Sequence, residues 1–353
     1  MRSLASDNNS GIHPLILKSI QEANRNHAYG YGEDHWTREA IRKIRNQFSK
    51  DCEPLFVFNG TGANVIALQL LSRPYYSILC PQSGHIYVDE CGAPTKTTGS
   101  QIIPIPTTDG KLTPQLIKPY LRDFGVQHRS QPGIVSISQT TELGTIYTLD
   151  EIKAIVQLAN EHDMHVHMDG ARLCNAAASL GVTLKEMTVD CGIDVLSFGG
   201  TKNGLMMGEC VLVFNPNYFK QAKYIRKQSA QLASKMRYIS CQFNAYLTDD
   251  LWLKNAQHAN EMAQLLYGRL VDYPQIRFTQ KVESNQLFFV LPKPLIDYLH
   301  QCFGLFFVNE EEKEVRLVTS FDTTLKDIDS FVECIDRYYQ KELKSDRSRQ
   351  EEK

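Results

Sequence analysis

Lys202 sits in Ser197-Phe198-Gly199-Gly200-Thr201-Lys202-Asn203-Gly204, a glycine-punctuated turn that follows the apolar run Val195–Phe198. Small residues on either side let such a turn approach a ligand closely. An amine held there forms an imine with a carbonyl compound once burial or neighbouring cations lower its pKa. Upstream, His165-Val166-His167-Met168-Asp169-Gly170-Ala171-Arg172 places an aspartate where a second strand-like run ends. A lysine for an aldehyde and a carboxylate for a pyridinium nitrogen are what pyridoxal phosphate requires of a protein. Simpler readings exist: a surface lysine, and an aspartate capping the helix after Gly170. His165, His167 and Asp169 share a strand face and His162 is close by, a metal-site pattern in form. A partly apolar strand explains that pattern without a metal, and none is expected.

Three further constellations carry chemistry. Asn59-Gly60-Thr61-Gly62-Ala63-Asn64 reads as a strand-to-helix turn. Its amides and the Thr61 hydroxyl suit a phosphate at a helix N-terminus. It is neither a P-loop nor a Gly-x-Gly-x-x-Gly dinucleotide turn. In Ser83-Gly84-His85-Ile86-Tyr87-Val88-Asp89-Glu90, an imidazole could stack on an aromatic cofactor or act as a base, oriented by Glu90. Arg316 interrupts the apolar run Val315-Arg316-Leu317 and needs a counter-anion if buried, either a substrate carboxylate or a structural partner.

These residues need a scaffold that brings strand ends together. Apolar runs at Leu55–Phe58, Ser77–Cys80, Gln101–Ile105, Gly133–Ser138, Met164–Met168, Asp194–Phe198 and Glu209–Phe214 predict seven strands. They alternate with helix-length stretches such as Leu149–Glu161, which argues for an α/β domain with a mostly parallel sheet and ligands at strand C-terminal ends. Asn217–Gly268 reads as helical, with the basic segment Arg226–Arg237 inside it. Gln286–Leu291, Leu305–Val308 and Val315–Thr319 read as strands of a smaller α+β unit, followed by a final helix from about Thr324. The expected division is a large domain over 1–250 with an N-terminal segment 1–30, a small domain over 251–340, and a charged tail 341–353 that frays or is disordered.

The chain has 353 residues, more than one core usually supports, and 42% of them are hydrophobic. Its formal net charge of −2 gives no electrostatic footprint for nucleic acid or anionic membrane. No window is apolar for long enough to span a bilayer, and the N-terminus lacks a secretory pattern. Nine scattered cysteines without a Cys-x-x-Cys pair favour reduced thiols and a cytoplasmic setting.

With these residues assembled, the chain resembles the low-specificity L-threonine aldolases, in the β-eliminating-lyase group of fold-type I pyridoxal-phosphate enzymes. The most specific matches are His167–Arg172 and Ser197–Gly204. Asp89-Glu90-Cys91-Gly92-Ala93-Pro94, Ser234-Lys235-Met236-Arg237, Val318–Thr324 and the early Ser6-Asp7-Asn8-Asn9 support them. The resemblance implies that Lys202 holds the cofactor covalently, Asp169 pairs with its pyridinium nitrogen and His85 stacks on its ring. It implies phosphate contacts from Gly60, Thr61 and Arg237. Substrate-carboxylate contacts would come from Ser6, Arg172 and Arg316. The segment Tyr29–Glu33, with Tyr31, would reach the active site of a partner subunit in a homodimer or homotetramer. In Gln139-Thr140-Thr141-Glu142-Leu143-Gly144, Glu142 stands where other members carry a histidine near the substrate hydroxyl, so His85, Glu142 or a water removes that proton. The implied reaction is cleavage of threonine or allo-threonine to glycine and an aldehyde. A β-eliminating lyase acting on other amino acids, or a non-catalytic binding protein of the same fold, are the alternatives.

Overall fold

The computed structural model describes residues 3–303, 305–309 and 311–351. Seven strands form the main sheet: β1 (Glu53–Val57), β2 (Tyr76–Pro81), β3 (Gln101–Ile105), β4 (Gln131–Ser138), β5 (His165–Gly170), β6 (Val195–Gly199) and β7 (Glu209–Val213). Their order across the sheet is β1-β7-β6-β5-β4-β2-β3. Every pairing from β3 across to β6 is parallel, while β7 is antiparallel to both β6 and β1. β6 and β7 are buried at every position, because helices cover both faces of the sheet.

This direction pattern positions the site. β2, β4, β5 and β6 end on one side, so the segments after them carry His85, Glu142, Arg172 and Lys202 to a common edge. β1 runs the same way and delivers Asn59-Gly60-Thr61. The reversed β7 contributes its first residue, Glu209, to that edge. Local signals agree: Thr148 and Glu151 form a capping box on the helix Leu149–Glu161. The helix Gly60–Leu71 is buried almost all round and packs against β6 and β7.

The segment Asn217–Gly268 is helical in three pieces, Phe219–Gln228, Arg237–Tyr246 and Leu251–Leu270, so a continuous helical reading needs correcting. The break after Gln228 includes Ala230 at φ 59°, a left-handed conformation that ends a helix. It sends the Gln231 side chain to accept from the Phe58 amide at 2.9 Å.

The second sheet is β8 (Arg277–Phe278), β9 (Gln286–Val290), β10 (Phe306–Asn309) and β11 (Glu314–Val318), antiparallel in the order β10-β11-β9-β8. Two-residue β8 is too short to leave a period-two signal. The helix Leu251–Leu270 joins the two cores: Trp252 and Ala256 pack in the large one, Ala263, Leu266 and Leu270 in the small. Leu4 also packs in the small core, and its carbonyl accepts from the Val318 amide at 2.7 Å. The last helix runs Leu325–Glu351, carrying helical backbone into the charged segment; residues 352–353 lie outside the described residues.

Candidate active site

A cavity of about 360 Å³ opens at the strand-end edge, within the usual range for small-molecule sites. Its walls include Gly60, Thr61, His85, Glu142, Asp169, Arg172 and Lys202, seven of the residues singled out in the sequence.

The lysine turn is held from several sides. The Gly200 amide donates to Glu209 Oε2 at 2.6 Å, and the Gly208 amide to Thr201 Oγ1 at 3.2 Å. Asn203 Nδ2 donates to the Tyr246 hydroxyl and the Trp252 carbonyl at 2.7 and 2.9 Å. Gly199 is required by close approach: a Cβ there would lie 2.5 Å from the Ala171 carbonyl oxygen, on the turn that follows Asp169. Burial, then the Arg172 charge, lowers the Lys202 pKa, which favours the free amine. Burial raises Glu209 to about 7.

Asp169 faces the same cavity. Its Oδ1 accepts from the Ala171 amide at 3.0 Å, so it also caps its own turn. Its Oδ2 accepts from Asn64 Nδ2 at 2.7 Å. The same Nδ2 donates to Glu90 Oε1 at 2.8 Å, and that oxygen meets His85 Nδ1 at 2.9 Å. Burial works against the Asp169 charge, but His85, Asn64 and Lys202 outweigh it and keep its pKa below the usual carboxylate range. The Glu90 hydrogen bond raises the His85 pKa. Glu142 Oε1 accepts from Ser138 Oγ at 2.6 Å and from the His85 amide at 2.8 Å. Its Oε2 is buried with no partner among the described residues, and burial raises its pKa.

Four predicted residues stand outside the cavity wall. Ser6 Oγ accepts from the amide of Asn8, which does line it. Arg316 is reached through the N-terminal segment, its Nη2 donating to the Ala5 carbonyl at 3.4 Å, and burial lowers its pKa to about 10. Tyr31 is 56% exposed, with the Lys227 ammonium 5.6 Å from its ring centre. Arg237 lines a separate cavity with Tyr29, Gly30 and Ser234.

The strand histidines each meet other partners. His165 Nε2 meets the Tyr218 hydroxyl at 2.7 Å, His162 stacks on Phe124, and His167 lies between Ser136 and Ser197. His85, Glu90 and Asp169 do bring donor atoms within 4.8 Å of one another, with the Asn64 amide linking the two carboxylates.

Asn64 and Asp7 stand inside motifs marked in the sequence but, like Glu209, were given no role of their own there. Asn64 and Glu209 left one signal each, a polar residue inside an apolar helix and a charge heading an apolar strand.

The donor set fits pyridoxal phosphate. Lys202 offers an amine and Asp169 an ionised carboxylate. The first turn of the helix Gly60–Leu71 offers the amides of Gly60 and Thr61, the Gly62 amide being capped by Asn59 Oδ1 at 2.8 Å. A Cβ on Gly60 would meet open space, so room is kept where a phosphate would rest.

A mostly parallel sheet that gathers these groups at its strand ends defines the class, an α/β protein with a site suited to pyridoxal phosphate. The chain belongs to the beta-eliminating lyase family, whose profile matches residues 3–292. It is 41% identical over 326 residues to a low specificity L-threonine aldolase of Pseudomonas aeruginosa, spanning 92% of this chain and 94% of that one. A second such aldolase, from a Pseudomonas species, is 41% identical over 323 residues, 91% of this chain and 93% of that one. The threonine aldolase structure from Leishmania major superimposes with a TM-score of 0.91 at 32% identity, covering 96% of this chain and 99% of that one.

Proposed function

We propose that this protein cleaves L-threonine and L-allo-threonine, and related β-hydroxy-α-amino acids, to glycine and an aldehyde. The observation that carries this is near-full-length similarity to low specificity L-threonine aldolases in a chain that keeps Lys202 and Asp169 on one cavity. Pyridoxal phosphate, when bound, supplies a ring that accepts the electron pair of the breaking Cα–Cβ bond.

Lys202 would anchor the cofactor through its aldehyde, and Asp169 would keep its pyridinium nitrogen charged. Gly60 and Thr61 would receive its phosphate, and His85 would pack on its ring. Arg172, Arg316 and Ser6 hold the substrate carboxylate, which orients the bond to be broken. Glu142 and His85 line the same cavity, and one of them would take the β-hydroxyl proton.

The working enzyme is a homo-oligomer with shared sites, in which Tyr31 and Arg237 serve a partner's cavity. Exposed Tyr29, Tyr31, Met206 and Met207 support an interface, and Met207 also lines the cavity. Free cysteines throughout support a reducing, cytoplasmic setting.

The test is incubation of cofactor-loaded protein with L-threonine. Glycine and acetaldehyde are expected; ammonia with an oxo acid would assign a β-elimination instead.

A further inference from the structure

Asp7 opens the short turn Asp7–Asn9, and its side chain is 1% exposed. Its Oδ2 accepts from Arg172 Nε at 2.7 Å and its Oδ1 from Arg172 Nη2 at 2.8 Å, two parallel bonds along one edge of the guanidinium. Asn285 Nδ2, just ahead of β9, donates to the same Oδ2 at 3.2 Å and to the Thr319 carbonyl at 2.8 Å. The N-terminal segment thus runs as a strap from Leu4 in the small core, past Ala5 at Arg316, to Asp7 at Arg172 and Asn8 on the cavity wall.

We propose that Asp7 is the positioning residue for recognition of the substrate carboxylate, clamping one edge of Arg172 so that only the opposite edge can receive it. This rests on the reading above that Arg172 holds that carboxylate. An arginine side chain has several free torsions, and a side-on carboxylate fixes the plane of its fork. Asp7 also supplies counter-charge to two neighbouring arginines, since the Arg172 charge disfavours a charged Arg316 and the Asp7 charge favours it. Selectivity for a carboxylate is therefore set before substrate arrives, and it depends on the docked strap. The buried triangle of Asp7, Arg172 and Asn285 joins the strap, the large sheet and the small unit.

The experiment compares cofactor-loaded wild type with Asp7→Asn on L-threonine and L-threoninamide. Asp7→Asn is expected to raise KM for threonine by about tenfold or more while kcat changes by less than about threefold. The preference for acid over amide should shrink by a similar factor. An unchanged preference, with both substrates losing equally, would make Asp7 a structural brace and overturn the proposal. A lowered KM for threonine would overturn it too, by making Asp7 a competitor for Arg172. Asp7→Glu keeps the charge but displaces it by one methylene, and should give an intermediate preference; it carries the test if Asp7→Asn shows no cooperative melting. A wild-type preference in Asp7→Glu sinks the clamp. The same ratio is read from binding of glycine against glycinamide, which needs no bond cleavage. Failure of wild type to cleave threonine would thus overturn the aldolase reading and leave the Asp7 test standing.

Discussion

Asn64 joins two buried carboxylates: its Nδ2 donates to Asp169 Oδ2 at 2.7 Å and to Glu90 Oε1 at 2.8 Å. One amide therefore separates the carboxylate that faces the cavity from the one that holds His85. Asn64→Ala removes that donor and leaves Glu90 and Asp169 without the amide they share. A stability loss of roughly 1–3 kcal/mol in urea unfolding is expected, with weaker cofactor binding in spectral titration. Wild-type values for both would show that the bridge is dispensable.

Lys202→Ala should abolish threonine turnover, because no other amine among the cavity-lining residues can replace it. Borohydride should then fix no cofactor on the protein, whereas the wild-type chain should carry it on the peptide containing Lys202. Turnover at a normal rate in this variant would remove the lysine from the chemistry.

Glu142→Gln separates proton removal at the β-hydroxyl from the rest of the reaction. Glu142 Oε1 is held by Ser138 and the His85 amide, while Oε2 is buried without a partner among the described residues. Threonine cleavage should fall by about a hundredfold or more, the usual range for a lost acid–base group. Exchange of the glycine α-proton in deuterated water needs no hydroxyl and should persist within a fewfold. Equal losses in both assays would instead make Glu142 a support for the His85 loop.

His167 gives an acid-sensitivity that can be read without any ligand. Its ring is fully buried between the hydroxyls of Ser136 and Ser197, and burial pushes its pKa down to about 4 from the usual 6.5. Below pH 6.5 the unfolded chain takes up a proton that the folded chain refuses. Stability should therefore fall as pH drops from about 6.5 toward 4. Urea midpoints across that range should fall less steeply in His167→Gln. Parallel curves would mean the ring charges inside the fold.

Lys202, Asp169, Gly60 and Thr61 were legible because each sits at a junction the sequence marks, an apolar run followed by glycine or a helix signal. All seven strands of the main sheet had a counterpart among the apolar runs, most plainly β6 and β7, which are buried at every position. Arg237 and Tyr31 were singled out by resemblance alone, and in a single chain they lie away from the cavity wall. Asp7 was seen only as part of a motif, because nothing in a run of short polar residues says which one will be buried.

The sequence by itself determined the local chemistry: which residue types stand at the strand ends, and that a lysine and an aspartate would meet there. Only the tertiary structure decided which distant side chains hold those groups. Asp7 meets Arg172 across 165 positions, and Asn64 meets Asp169 across 105. Such pairs leave no periodic or spacing signal, since they arise from sheet order and from the docking of the strap. Burial then set how strongly they act, because a dry carboxylate must find a donor and the nearest donor in space is not the nearest in sequence.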